Sequence, residues 1–311
     1  MRRKRDFLTL ADLSAQEVWS LLRRARAMKR AGKPWRTRRL LAGRTLGMIF
    51  EKASTRTRVS FEVGMAQLGG QALFLSTQDL QLGRGESVGD TARVLSRYVQ
   101  AILLRTYAHA TVEDFARHAT VPVINGLTDL HHPCQALADL LTLLEKKGRL
   151  RGLRVAYVGD GNNVAHSLME GAARVGLHMR LACPQGYEPD AGILARSRQE
   201  AEAAGGSIQV VRDPEEAVAG ADAVYTDVWT SMGQEAEQQE RRRAFRGYQV
   251  HARLMALAHP DAVFMHCLPA HRGEEVSAEV LDGPGSVVWD QAENRLHAQK
   301  ALLVWLMAGS R

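Results

Sequence analysis

The sequence predicts an α/β protein with two doubly wound parallel-sheet domains. From residue 46 onward, short apolar runs typical of buried strands alternate with amphipathic runs typical of helices, and 311 residues suit two domains of ordinary size. Parallel strands need crossover connections, which the helices supply. A short polar, glycine-bearing break at residues 147–152 separates two such series. We therefore place the domains at residues 1–147 and 148–291.

The first series begins with an apolar strand and an amphipathic helix that ends at the glycine pair Gly69-Gly70, a common helix stop. Further upstream, Ser14 and Glu17 have the spacing of a capping box, which predicts a helix start. The strands are predicted at residues 46–50, 72–76, 101–105 and 121–124. The helices are predicted at residues 59–68, 90–99, 112–118 and 136–147.

The second series repeats the alternation after the break. Its strands are predicted at residues 154–158, 178–183, 207–211, 223–226 and 262–265. Its helices are predicted at residues 163–176, 191–204 and 214–219, with a last helix from about 292 to 307. That last helix is apolar on one face, as expected of a helix that packs against a core.

Composition excludes several classes of protein. With 45% apolar and 24% charged residues and no apolar run near the length of a membrane span, we expect neither a membrane protein nor a disordered one. The net charge is +7, but residues 2–5 carry four positive charges, so the balance does not indicate nucleic-acid binding. Those residues precede Asp6 rather than an apolar stretch, so no secretory signal is expected. Three cysteines favour a reducing compartment, and we expect a cytoplasmic protein.

The run Ser54-Thr55-Arg56-Thr57-Arg58 lies where the first strand passes to the first helix of the series. A helix N-terminus presents unpaired N–H groups and partial positive charge, which suit a phosphate. Guanidinium groups add a bidentate geometry that lysine lacks. The alternative at this point is a capped helix with solvated arginines.

Further polar side chains lie at strand ends and helix starts. His132 and Gln135 open the helix predicted at 136–147, and a neutral imidazole or an amide can donate to a developing oxyanion. Arg105 ends an apolar strand, where an arginine usually needs a partner. His132 has the alternative of a buried histidine bonded to backbone, and Arg105 that of a surface arginine.

The sequence gives little support for a dinucleotide site or a zinc site. The turn after residue 158 contains Gly159 and Gly161, but Val164 replaces the third glycine of a dinucleotide fingerprint, and no acid ends the next strand. The amides of this turn can instead bind an amino-acid substrate. The histidines and cysteines lack the spacing of zinc ligands. We expect no cofactor and no metal.

Four motifs in order resemble the aspartate/ornithine carbamoyltransferase family. They are Ser54-Thr55-Arg56-Thr57-Arg58, His132-Pro133-Cys134-Gln135, the stretch from Asp227 to Gly233, and His266-Cys267-Leu268-Pro269. The resemblance covers residues 50–295. It implies two domains joined by crossing helices, with helix 292–309 packed back on domain 1–147. It also implies that domain 1–147 binds carbamoyl phosphate, and that domain 148–291 binds L-ornithine, whose δ-amine takes the carbamoyl group to give L-citrulline and phosphate.

The resemblance assigns roles to particular residues. The phosphate lies on Ser54, Thr55, Arg56 and Thr57, and Thr55, Arg105 and His132 polarise the carbamoyl oxygen. Gln135 and the Leu268 carbonyl hold the carbamoyl amide. The implied catalytic residues are Arg56, Arg105, His132 and Cys267, the last orienting the δ-amine. Further carbamoyl phosphate contacts fall on Gln81, Pro133, Cys134 and Arg295. The α-groups of ornithine are held by Asn163, Asp227, Ser231 and Met232.

Related enzymes fit less well. In the aspartate-specific branch a lysine-bearing loop would fall near residues 84–86, where no lysine occurs, and acetylornithine-type relatives have an apolar residue in place of Thr55. A silent binding protein on this fold would not need the set Arg56, His132, Gln135 and Cys267. One departure is Ala53, where the family usually has proline. The family forms trimers in which the loop around Gln81 reaches a neighbouring subunit, so we expect a homotrimer or a multiple of trimers.

Overall fold

The computed structural model describes residues 4–31, 39–77, 85–231, 233 and 235–308. The chain divides into two compact units, Met1–Leu141 with Asn294–Arg311 and Thr142–Glu293. The sequence places the domain boundary six residues later, at 147/148, and that boundary stays a prediction. Among the described residues no helix is long and apolar enough to cross a membrane.

The first unit contains a four-stranded parallel sheet in the order β2-β1-β3-β4. Its strands are β1 Thr45–Phe50, β2 Gln71–Ser76, β3 Ala101–Arg105 and β4 Val123–Leu127. The helices of this part of the chain are α1 Ala15–Arg30, α2 Thr55–Gln67, α3 Val88–Tyr98, α4 His109–His118 and α5 Pro133–Lys147. Strand order reverses between β1 and β3, so the loops after these two strands open a crevice at the carboxyl edge of the sheet, where ligands bind in folds of this kind.

The second unit contains a five-stranded parallel sheet in the order β7-β6-β5-β8-β9. Its strands are β5 Arg154–Val158, β6 His178–Ala182, β7 Ser207–Val211, β8 Ala223–Thr226 and β9 Val263–His266. The remaining helices are α6 Asn163–Val175, α7 Ala191–Ala203, α8 Pro214–Val218, α9 Gln238–Ala244, α10 Ala252–Met255, α11 Ala278–Leu281 and α12 Val288–Met307. Here the order reverses between β5 and β8, which places a second crevice beside the residues that follow them.

The sheets are held by apolar strands buried on both faces. β3 and β4 are buried along their whole length, and in the second unit Tyr157 stacks on Tyr225 with ring centroids 5.8 Å apart. Such continuous burial is expected of parallel strands covered by helices on both faces. The predicted fold class, two parallel-sheet α/β domains, is therefore confirmed.

Element bounds differ mainly at helix starts. α2 begins at Thr55 rather than at residue 59, and α5 begins at Pro133 rather than at 136. α12 begins at Val288 instead of 292. The polar first turns were assigned to loops because they break the apolar periodicity, yet Ser54 caps α2 and proline is well accommodated in a first turn. The short helices α9, α10 and α11 were not predicted.

Candidate active site

The N-terminus of α2 is built by Ser54. Its backbone is extended, and its hydroxyl accepts a hydrogen bond from the Thr57 N–H at 3.2 Å. This cap satisfies one of the N–H groups that a helix start leaves without an intrahelical partner, and the first turn then presents the side chains of Thr55 and Arg56. The candidate phosphate cradle is thus the first helical turn itself, at the switch point beside β1.

The two arginines of this turn have different surroundings. Arg58 donates to Glu62 at 3.0 Å, and its guanidinium lies 3.8 Å from the centre of the Phe74 ring. Arg56 is half-buried and makes no side-chain hydrogen bond or ion pair to any of the residues that the structure describes. Arg56 is therefore available to a ligand, whereas Arg58 is held on the surface of its own unit.

Arg105 at the end of β3 reaches the same edge of the sheet. Its side chain is buried, and its Nε donates to the Lys52 carbonyl at 3.2 Å. Lys52 is itself buried, forms an ion pair with Asp129 and lies 4.1 Å from the centre of the Tyr107 ring. These contacts fix the direction of the Arg105 side chain.

His132 lies immediately before α5 and is buried. Burial lowers the pKa of its imidazole well below the usual histidine range, and the positive charges of Arg295, Arg105 and Arg56 lower this pKa further. The ring is therefore neutral at physiological pH and can donate an N–H to an oxygen that gains negative charge. Three guanidinium charges thus act on one neutral donor, a combination that suits an anionic ligand.

Arg295 joins three predicted residues into one buried network. It donates to the Gln135 amide oxygen at 2.7 Å and to the Thr57 hydroxyl at 3.0 Å. Gln135 in turn donates to Asp139 at 2.8 Å. The network ties the starts of α2 and α5 to α12, so Arg295 and Thr57 position the site from inside the unit.

The Cys134 side chain points into the protein interior rather than towards a ligand. Its thiol is buried and donates to the Asn125 carbonyl at 3.4 Å. Burial raises the pKa of this thiol to about 12. A ligand can therefore contact Cys134 through its backbone only.

In the second unit, Asp227 follows β8 at the switch point and is buried. Its carboxylate accepts from the Asn162 amide at 2.8 Å and from the Cys267 thiol at 2.9 Å. Asn162 also caps α6 by accepting from the Val164 and Ala165 N–H groups. The sequence motifs included Asp227 and Cys267 but not Asn162. The family resemblance assigned the ornithine contact to the adjacent Asn163 instead.

The glycine turn after β5 is occupied by the protein. The Gly159 N–H donates to the Ala182 carbonyl at 3.0 Å, and the Gly161 N–H donates to the Tyr187 carbonyl at 2.8 Å. A Cβ on Gly161 would lie 2.2 Å from the Pro189 nitrogen, so only glycine fits. The two glycine amides are therefore engaged within the protein and do not bind an amino acid, contrary to the expectation for these two groups. Two other residues named from the sequence are partly exposed: Asn163 at the start of α6, and Ser231, which follows β8 in the chain.

A buried ion pair holds the loop after Asp227. Arg241 on α9 donates to Asp160 at 2.7 Å and to the Trp229 carbonyl at 3.0 Å. Burial raises the pKa of Asp160 to about 6 although Arg241 opposes the shift. Residues 238–243 form a charged stretch that belongs to none of the sequence motifs, so the sequence did not indicate this contact. Gln81 and Met232, both named from the sequence, lie outside the described residues.

Three possible metal ligands meet beside β9. Single ligand atoms of Asp227, His266 and Cys267 lie within 4.8 Å of one another. The two ring nitrogens of His266, however, are engaged with the Leu268 N–H at 2.8 Å and with Glu275 at 3.2 Å. These three side chains therefore make hydrogen bonds within the protein. That the site binds no metal stays a prediction.

Two family models together match nearly the whole chain. "Aspartate/ornithine carbamoyltransferase, carbamoyl-P binding domain" matches residues 5–145, and "Aspartate/ornithine carbamoyltransferase, Asp/Orn binding domain" matches residues 151–306. The chain belongs to the aspartate/ornithine carbamoyltransferase family, as its motifs indicated.

Individual relatives narrow the similarity to one branch. The anabolic ornithine carbamoyltransferase of Pyrococcus furiosus is 60% identical over 98% of this chain and 97% of its own length. The solved structure of the ornithine carbamoyltransferase from that organism has a TM-score of 0.95 at 59% identity, covering 99% of this chain and 98% of the other. The anabolic enzyme of Campylobacter jejuni has a TM-score of 0.92 at 42% identity, with 97% and 98% covered.

Proposed function

We infer that this protein is an enzyme that transfers the carbamoyl group of carbamoyl phosphate to the δ-amine of L-ornithine, which gives L-citrulline and phosphate. One observation at the site carries the inference: the positive charges of Arg56, Arg105 and Arg295 act on the buried, neutral His132, and Arg56 lies in the first turn of the capped helix α2. Full-length relatives named ornithine carbamoyltransferase support the same activity.

In the proposed mechanism, the phosphate lies on the first turn of α2, with Arg56 bridging the phosphate and the carbonyl oxygen. His132, Arg105 and Thr55 stabilise the negative charge that develops on that oxygen when the amine attacks the carbonyl carbon. Gln135 and the Leu268 carbonyl hold the carbamoyl amide. The tetrahedral intermediate then expels phosphate, whose charge the arginines neutralise.

Ornithine is proposed to bind through its α-groups. Asp227 pairs with the α-ammonium, and Cys267 orients the δ-amine. The binding site for the α-groups is completed by Asn163, Ser231 and Met232. An amine of this kind titrates near roughly 10 in water, but it must be neutral to attack. Exclusion of water from the site favours the neutral form, because burial disfavours the charged one.

Substrate discrimination tests this assignment. Citrulline formation should be at least about a hundredfold more efficient, by kcat/KM, than carbamoylation of putrescine, because putrescine leaves the carboxylate and ammonium partners unpaired at about 1–3 kcal/mol each. Aspartate and acetylornithine serve as further comparisons. In Asp227→Asn, the KM for ornithine should rise while the KM for carbamoyl phosphate stays within about twofold. Equal efficiency on ornithine and putrescine would reassign the chain to diamines.

We also propose a trimer, or a multiple of trimers, with active sites shared between subunits. Apolar side chains are exposed on α2 and on the edge strand β2: Val59, Val63, Leu73 and Phe74. Exposed apolar side chains at a sheet edge favour contact with a second copy. Gln81 follows β2 directly in the sequence, which supports its proposed reach into a neighbouring site.

Complementation between inactive variants tests the shared site. Arg56→Ala and Gln81→Ala should each be nearly inactive alone, and mixed oligomers should regain part of the parental activity because some interfaces combine two intact halves. Mass spectrometry of mixed, differently tagged subunits would establish exchange. If exchange occurs without recovery, Gln81 does not serve a neighbouring site.

The physiological setting follows as a proposal. Relatives named anabolic support a role in arginine biosynthesis. The three cysteines, Cys134, Cys183 and Cys267, are all free thiols, which supports a reducing, cytoplasmic location. The proposed reaction requires no cofactor.

A further inference from the structure

Glu275 is a fully buried carboxylate that neither the sequence motifs nor the proposed mechanism uses. Its Oε1 accepts from the His271 N–H at 2.6 Å and faces His266 Nε2 at 3.2 Å. Oε2 makes no hydrogen bond among the described residues and lies 3.9 Å from the His271 Nδ1. A carboxylate buried with one oxygen unsatisfied is costly, so its presence calls for an explanation. We propose that Glu275 is a positioning residue that acts through His266 on the turn carrying Cys267 and Leu268.

The hydrogen bonds around His266 define its protonation. The Leu268 N–H donates to His266 Nδ1 at 2.8 Å, so Nδ1 carries a lone pair and the ring proton is on Nε2. That proton points to Glu275. The carboxylate therefore selects the one tautomer that can accept from the Leu268 amide, as carboxylates do for histidines elsewhere in proteins.

The Leu268 amide needs this support. Leu268 has φ +60°, a left-handed backbone that a bulky side chain rarely adopts. A hydrogen bond on its N–H helps to hold this conformation. The preceding residue, Cys267, is thereby kept with its thiol 2.9 Å from the Asp227 carboxylate.

Two further contacts of this segment do not depend on the carboxylate. The His266 N–H donates to Gln291 at 3.0 Å, and the Glu275 carbonyl accepts from the Val250 N–H at 2.8 Å. Replacing the Glu275 side chain therefore leaves both backbone anchors in place. If the proposed function holds, on which this step rests, the relay orients the Cys267 thiol and the Leu268 carbonyl before substrate binds.

Conservative and disruptive variants of Glu275 separate positioning from general stability. Glu275→Gln retains an oxygen that accepts from His266, whereas Glu275→Leu does not. We expect Glu275→Gln to stay within about threefold of the parent and Glu275→Leu to lose about tenfold or more in kcat, with a smaller change in the KM for carbamoyl phosphate. Equal kcat in the two variants would overturn the proposal.

The acceptor on the Leu268 amide can be supplied without Glu275. In His266→Asn, the asparagine oxygen can accept from the N–H two residues later, as in an Asx-turn, whereas His266→Leu cannot. We expect His266→Asn to retain most of the activity and His266→Leu to lose about tenfold or more. In the His266→Asn background, Glu275→Leu should have little further effect, because the two residues act as one unit. Additive losses would contradict the relay.

A readout without substrate separates this inference from the proposed function. Long-range ¹H–¹⁵N spectra of histidine-labelled protein identify the tautomer of His266, whose signal is the one missing from His266→Asn. The parent and Glu275→Gln should show the proton on Nε2, and Glu275→Leu should lose this preference. A parent protein with the proton on Nδ1 overturns the inference whatever its activity. A parent with the expected tautomer and no citrulline formation overturns the proposed function alone.

Discussion

Replacement of Arg56 by alanine should lower kcat/KM for carbamoyl phosphate by about a hundredfold or more. Arg56 belongs to the first turn of α2, and its guanidinium makes no hydrogen bond or ion pair to the rest of the described structure. Its binding energy is therefore available to the ligand. A charge-assisted hydrogen bond to phosphate contributes about 1.5–3 kcal/mol, and a group that also meets the charge developing on the carbonyl oxygen contributes more in the transition state.

Arg58 provides a matched control on the same helix. Arg58→Ala removes an equal charge two residues away, but its guanidinium is engaged with Glu62 and the Phe74 ring. Its effect on kcat/KM should stay within about threefold when the variant remains assembled. Steady-state kinetics with carbamoyl phosphate as the varied substrate measures both. If Arg56→Ala retains parental efficiency, or if Arg58→Ala loses as much, the phosphate is not held as proposed.

Much of the fold could be predicted because it depends on local pattern. Strands β3, β5, β7 and β8 occur at the predicted residues, since buried parallel strands are continuous apolar runs between breaks. Helix starts were less accurate. The first turn of α2 consists of polar residues, so the periodicity that identifies the rest of the helix is missing there.

The site was predictable only where one motif carries the chemistry. The side chains that hold those motifs lie outside them. Arg295 donates to Gln135, which is 160 residues away in the chain, and Glu275 contacts His266, which is nine residues away. Neither Asn162 nor Arg241 belongs to a motif with a chemical signature of its own. Their contacts with Asp227 and Asp160 follow from sheet order, which sequence pattern alone does not determine.

The second large effect is expected at His132. His132→Leu removes the neutral N–H donor proposed for the carbonyl oxygen, and kcat should fall by about 10²- to 10³-fold, the usual effect of losing such a donor. His132→Gln keeps an amide donor and should retain part of that rate. Single-turnover measurements at saturating substrates would compare the chemical step in the two variants. Equal rates in the Leu and Gln variants would exclude a donor role.

The pH dependence of stability gives an independent test of the neutral state. Burial is the main cause that lowers the pKa of His132 in the folded protein, and the charges of three arginines lower it further. In the unfolded chain a histidine titrates near about 6.5. The unfolded state therefore binds the extra proton below about pH 6.5, and the stability that neutral His132 allows is present above that pH and is lost as the pH falls towards the depressed pKa. Leucine does not titrate, so the free energy of unfolding of the parent should fall relative to that of His132→Leu as the pH is lowered from about 7 to 5. Denaturant titrations across this range measure the difference. A difference that stays constant would mean that folding does not lower the pKa of His132. A change in the opposite direction would mean that folding raises this pKa, and a charged imidazole would then have to act on the carbonyl oxygen as a cation rather than as a neutral donor.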